Sequence, residues 1–125
     1  MAEEIRDKGN LLAIIVRASY KAEGARFFTS GELSQQLAYM GYSSGRCIEP
    51  HVHNPVERDV SVTQETLFIR KGALRVDFYD NECNYLESRI LRTGDVILLV
   101  SGGHGFEVLD DLEICLLYTS DAADE

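Results

Sequence analysis

The chain contains no tryptophan, two prolines and three cysteines, and no two of the cysteines form a C-x-x-C pair. Cys47, Cys83 and Cys115 are too few and too scattered for a disulfide framework or a thiolate zinc knuckle. Basic residues are scarce as well: 12 Lys and Arg stand against 21 Asp and Glu, a formal charge of −9. That balance argues against a protein that grips phosphate backbones or docks on an anionic membrane surface, since both need clustered cations. No apolar run reaches the length that spans a bilayer. The opening MAEEIRDKGN is charged and lacks the apolar segment of a secretory signal. The expectation is a cytoplasmic chain with neither nucleic acid nor membrane as partner.

Helical periodicity is also lacking. GELSQQLAYM has room for a helical turn at most. What the sequence has instead is a series of short apolar, β-branched runs separated by Gly, Asp and Asn: Leu11–Ala18, Ala25–Thr29, Leu37–Tyr42, Arg46–His53, Thr66–Arg70, Ala73–Tyr79, Tyr85–Leu91, Val96–Val100, His104–Leu109 and Leu112–Ile114. Ser43-Ser44-Gly45 and Lys71-Gly72 read as hairpin turns, and Asp110-Asp111 as a further turn. Many short strands at regular spacing predict one all-β domain, a closed sandwich or barrel. Within it, Leu74, Val76 and Phe78 alternate with Arg75, Asp77 and Tyr79, so one set faces the core and the other faces water or an anionic ligand.

The three histidines are the most informative residues. His51 and His53 sit two apart on an expected strand, where both rings project from one face. Cys47 and Glu49 share that parity. Two imidazoles side by side are poorly satisfied unless a divalent cation takes their nitrogens. The competing reading is a pair of solvated histidines on an exposed face.

The segment Gly45-x5-His51-x-His53 followed by Glu65-x6-Gly72 resembles the first motif of the cupin superfamily, and Gly94-Asp95…Gly102-Gly103-His104 resembles the second. The resemblance implies a double-stranded β-helix (jelly-roll) barrel holding one divalent transition metal at its mouth, with His51, His53, Glu65 and His104 as ligands. Glu57 stands nearer the usual distance from His53 and is the rival carboxylate. Glu65 is preferred because it opens a strand and keeps the spacing to Gly72. Val100 replaces the usual proline of the second motif, His104 comes one residue early, and Val108 replaces the usual Asn. A donor set of three His and one carboxylate suits Mn, Fe, Ni, Co or Zn. Glu49 is the candidate acid/base, Phe106 a cavity wall, Arg58 an anion binder if its loop folds over the mouth, and Cys47 a small buried apolar residue.

The end of the chain, CLLYTSDAADE, resembles the translation of a transposon-based sequencing-library adapter. The expectation is therefore a single cupin domain over residues 1–114, lacking its natural C-terminal end, with 115–125 as a non-native tail. By analogy a homodimer is expected. The function implied is a metal-dependent enzyme on a small polar molecule, a carbohydrate or a hydroxy or keto acid, with isomerase or dioxygenase chemistry. The alternative is a non-catalytic module that uses its metal to bind or sense a small ligand.

Overall fold

A computed structural model describes residues 2–55 and 64–119. Eight strands make up the described part: β1 (Glu3–Asp7), β2 (Asn10–Val16), β3 (Gly24–Phe27), β4 (Ala38–Gly41), β5 (Glu65–Tyr79), β6 (Tyr85–Arg92), β7 (Val96–Leu99) and β8 (Gly103–Tyr118). Among the described residues there is no helix, and every strand pairing is antiparallel, so the chain is all-β as its patterning implies. In particular, no helix is long and apolar enough to cross a membrane. After Ser30 the chain makes a single turn, with the Leu33 N–H on the Ser30 carbonyl at 3.3 Å, and goes no further towards a helix.

β1 lies in the charged opening segment, where no strand was expected. Of its five residues only Ile5 is buried, opposite Ala13 of β2. Its Glu3, Glu4, Arg6 and Asp7 blunt the sheet edge against unwanted pairing, which hides the strand from any search for apolar alternation. The hairpin to β2 turns at Lys8 and Gly9, whose φ of 51° and 84° suit the mirror-image two-residue turn favoured by twisted strands.

The main sheet runs β1-β2-β7-β5-β6, with β8 also paired to β5. Glu65–Phe68 pair with β7 and Ala73–Tyr79 with β6, while β8 pairs along the whole of β5. A residue has only two edges to offer, so β6 and β7 lie end to end on one side of β5 and β8 lies on the other. The connectivity then forces a curl. Fifteen residues of straight strand would span roughly 50 Å. Yet Glu65 is paired with Leu99 and Tyr79 with Gly103, and the chain from Leu99 to Gly103 reaches at most about 14 Å. The two ends of β5 are therefore brought towards each other, and the sheet bends into a half-barrel.

The bend explains two corrections. Lys71-Gly72 and Asp110-Asp111 are not turns; they face one another inside β5 and β8, where the register shifts three times between Ile69 and Leu74. Gly72 adopts φ 99° and packs against the backbone of Asp111 and Leu112, and its N–H donates to Thr93 Oγ1 at 3.1 Å. A glycine at positive φ serves a bulge as well as a turn, and a bulge increases local bend and twist. β8 also continues past Ile114, the end of the expected domain, so that Cys115–Tyr118 pair with Phe68–Glu65.

The concave side holds the core: Ile5, Leu12, Ile15, Leu67, Ile69, Leu74, Val76, Phe78, Leu91, Ile97 and Leu99 are almost fully buried, with Leu86, Leu112 and Ile114 packed against them. Arg75, Asp77 and Tyr79 alternate with this set and face outward, as expected. On the outer side, Tyr20 packs edge-on against Phe28 and Tyr39, at ring separations of 5.4 and 4.9 Å, near the small β3–β4 hairpin. Asp95 fixes the turn between β6 and β7, accepting the N–H groups of Ala18 and Arg92, each at 2.8 Å, and Nη1 of Arg17 at 3.2 Å.

Candidate metal centre

Glu65 opens β5, as its position in ETLFIRKG suggests, and His104 lies near the start of β8. Residues paired across a sheet share a face. His104 is opposite Phe78, and Glu65 has the parity of Leu67 and Ile69, so both side chains point to the concave side. The curl then joins them: His104 Nε2 is 3.2 Å from Glu65 Oε1. Two donor atoms on one ion, each at a bond length of about 2.1 Å, would sit roughly 3.0–3.4 Å apart. The spacing thus suits a shared metal as well as a direct hydrogen bond. Both side chains are partly accessible, at 31% and 22% of their area. The Phe106 ring, one alternation step along β8, lies 5.3 Å from the His104 ring.

Sequence reasoning missed what steadies Glu65. Its neighbour Gln64 is buried, and Gln64 Oε1 accepts from Ser34 Oγ at 3.0 Å and from the Gln35 N–H at 2.9 Å. The Gln35 amide grips both sides of Glu65, donating through Nε2 to the Gln64 carbonyl and accepting from Thr66 Oγ1 at 2.7 Å. Thr119, just past β8, donates its N–H to the same carbonyl at 2.9 Å. These are ordinary polar residues with no spacing that marks them, and only the fold brings them together.

His51 and His53 come by a different route from the one the alternation implied. The turn at Ser43–Arg46 forms, with the Arg46 N–H on the Ser43 carbonyl at 3.2 Å, but the strand expected over Arg46–His53 does not. Pro50 removes a ladder donor, and every residue from Tyr42 to Pro55 is exposed, so neither face has a core to cover. Cys47 is accordingly exposed rather than a buried apolar residue, as are Cys83 and Cys115. The two imidazoles are still neighbours, their ring centres 5.1 Å apart and nearly perpendicular. His51 Nδ1 lies 2.9 Å from the Glu49 carbonyl oxygen. A carbonyl only accepts, so Nδ1 is the donor of this bond, and Nε2 is the nitrogen left to face a ligand. Glu49 thus engages His51 through its backbone, and its carboxylate stands in the exposed segment.

The four sequence-derived ligands therefore fall into two pairs, Glu65 with His104 and His51 with His53. Among the described residues no three His, Cys, Asp or Glu side chains gather within coordinating reach. Glu57 and Arg58 lie outside the described residues.

No protein-family model matches the chain, and neither the curated proteins nor the solved structures give a match.

Proposed function

We propose that the chain is a cupin-type, double-stranded β-helix protein that holds one divalent transition metal through His51, His53, Glu65 and His104 and acts on a small polar molecule. The observation that carries the reading is the Glu65–His104 contact of 3.2 Å, made by two residues from opposite ends of the β5–β8 ribbon. The sheet's curl brings together two of the residues named by motif, on the concave side where a barrel keeps its ligands.

The chain's own contribution is orientation. Gln35 and Gln64 fix the backbone on which Glu65 sits, Phe106 packs beside His104, and the Glu49 carbonyl orients the His51 ring. Binding draws the exposed His51–His53 segment onto the Glu65–His104 pair. The metal would act as a Lewis acid, polarising vicinal oxygens of a carbohydrate or of a hydroxy or keto acid. Glu49 is the carboxylate assigned to move the proton. The second reading, a non-catalytic metal-assisted binding module, draws on the exposed position of that carboxylate. Homodimerisation and a cytoplasmic location belong to the same proposal.

The test is a titration of the metal-free chain with Zn²⁺ and Co²⁺, followed by histidine-detected NMR and elemental analysis. One equivalent of bound metal is expected, with Co²⁺ shifting all three histidine rings together and with metal lost in His104→Ala and in the His51→Ala, His53→Ala double variant. Retention of metal by either variant, or shifts confined to one pair, would sink the four-ligand site. Turnover of a hydroxy acid or sugar by the loaded protein, abolished by Glu49→Gln, separates the enzyme from the binder.

A further inference from the structure

The convex face of the sheet carries a second cluster, independent of the metal reading. Arg75, Asp77 and Tyr79 of β5 stand beside Tyr85 and Ser88 of β6, around an open groove of about 470 Å³. Residues of β8 across from them are Gly103, Gly105 and Glu107. The two glycines make room for Tyr79, whose Cβ lies 3.3 Å from where a Cβ on Gly103 would stand and whose ring lies 3.6 Å from one on Gly105. The groove itself is lined by side chains of β5 and β6.

Its polar groups form one chain. Tyr85 Oη and Ser88 Oγ are 2.8 Å apart, Ser88 donates to Asp77 Oδ1 at 2.5 Å, and Arg75 donates to both carboxylate oxygens of Asp77 at 2.8 and 3.1 Å. Because the Ser88 proton goes to Asp77, Tyr85 must donate to Ser88, leaving lone pairs on the phenol oxygen. Arg75 also approaches Glu107 Oε2 at 3.6 Å. The Arg75 guanidinium and the Ser88 hydroxyl hold the Asp77 carboxyl below the usual carboxylate range. Tyr79 and Tyr85 meet edge to face with ring centres 5.8 Å apart, and Tyr85 is 58% exposed.

This arrangement rules against the anionic ligand that the sequence suggested for Arg75. The guanidinium is already committed to Asp77 and Glu107, and the three charged groups sum to a negative value. A cation fits no better, since Asp77 already accepts three hydrogen bonds and the two rings form an edge-to-face pair rather than a box. What remains is an exposed aromatic face beside fixed acceptors and donors, which complements the C–H face and hydroxyls of a sugar ring.

We propose that this convex groove is a binding site for a neutral pyranoside, with the Tyr85 ring as the stacking platform, the Tyr85 and Tyr79 phenol oxygens as hydroxyl partners, and Asp77 and Arg75 holding Ser88 and Tyr85 in place. Site and metal centre lie on opposite faces of the same sheet, so loss of one leaves the other intact. Neutral methyl glycosides of gluco, galacto, manno and xylo configuration are titrated into the metal-free full chain and followed by amide NMR. At least one is expected to give saturable shifts confined to residues around Asp77, Tyr79, Tyr85, Ser88 and Gly105, with a Kd on the order of 1 mM. Binding should weaken about tenfold or more in Tyr85→Ala, the loss of one stacked ring being roughly 1.4 kcal/mol, and should persist in His104→Ala. Asp77→Asn is the second variant, and Tyr85→Ala, an exposed site, carries the test if that chain does not fold. No saturable shift with any glycoside would overturn the proposal. So would shifts elsewhere on the surface, equal binding by Tyr85→Ala, or a preference for glucuronate or tyramine over the neutral sugars.

Discussion

Replacing Gly72 by alanine tests the bend on which the fold depends. A Cβ at this position would overlap the Asp111 carbonyl oxygen and lie 2.9 Å from its carbon and 3.1 Å from Leu112 Cα, all backbone atoms that cannot rotate away. The φ of 99° adds strain of its own. A side chain at positive φ costs roughly 1–2 kcal/mol, and forcing two packed strands apart adds about 1–3 kcal/mol. Stiffening the unfolded chain returns about 0.5 kcal/mol, so Gly72→Ala should destabilise by about 3 kcal/mol. Gly9 provides the control, because its φ of 84° carries similar strain but nothing lies within 4 Å of its would-be Cβ. Gly9→Ala should therefore cost about 1 kcal/mol. The difference of about 2 kcal/mol corresponds to about 1 M in urea midpoint, read by far-ultraviolet circular dichroism at equilibrium. Equal costs for the two variants would refute the close approach of β5 and β8 at the bulge, and with it the stated origin of the curl.

Two further outcomes follow from polar contacts. Asp95→Asn places an amide where Asp95 now accepts from two backbone N–H groups and Arg17, and should lower stability by about 2–3 kcal/mol in thermal unfolding; a loss near zero would show that the β6–β7 turn does not rely on it. The Arg17 guanidinium, donating to Glu3 at 2.8 Å, holds the Glu3 carboxyl below its ordinary value of 4.5. A depressed carboxyl stabilises the fold above its ordinary range, and the benefit is lost as pH falls through the folded value. Glu3→Gln should therefore lower stability at neutral pH, and the gap to the parent should close as pH falls below about 4.5. Parallel curves for parent and variant would contradict the assignment.

How much was legible varies from element to element. β2 and β7 are dense in apolar, often β-branched residues over a short span, and a strand's composition and period of two are local information. The same holds for Leu74, Val76 and Phe78 against Arg75, Asp77 and Tyr79. β1 was not legible because an edge strand with a single buried residue has no apolar period to show. Arg46–His53 misled for the opposite reason: it has alternation but no neighbouring strand, and an unpaired extended segment is not a strand.

By itself the sequence determined the all-β class, the inward and outward sets of β5, and the placing of Glu65 at a strand start. Each depends only on residues within a few positions of one another. The continuity of β5 and β8 through Gly72 and Asp111 was decided by the tertiary structure, because a positive-φ glycine is compatible with turn or bulge until its partner strand is present. The tertiary structure likewise decided that His104 reaches Glu65, that Gln35 braces it from a distant segment, and that Gly103 and Gly105 make room for the Tyr79 ring. Such contacts join residues far apart in the chain, and no local period encodes the closure of a sheet upon itself.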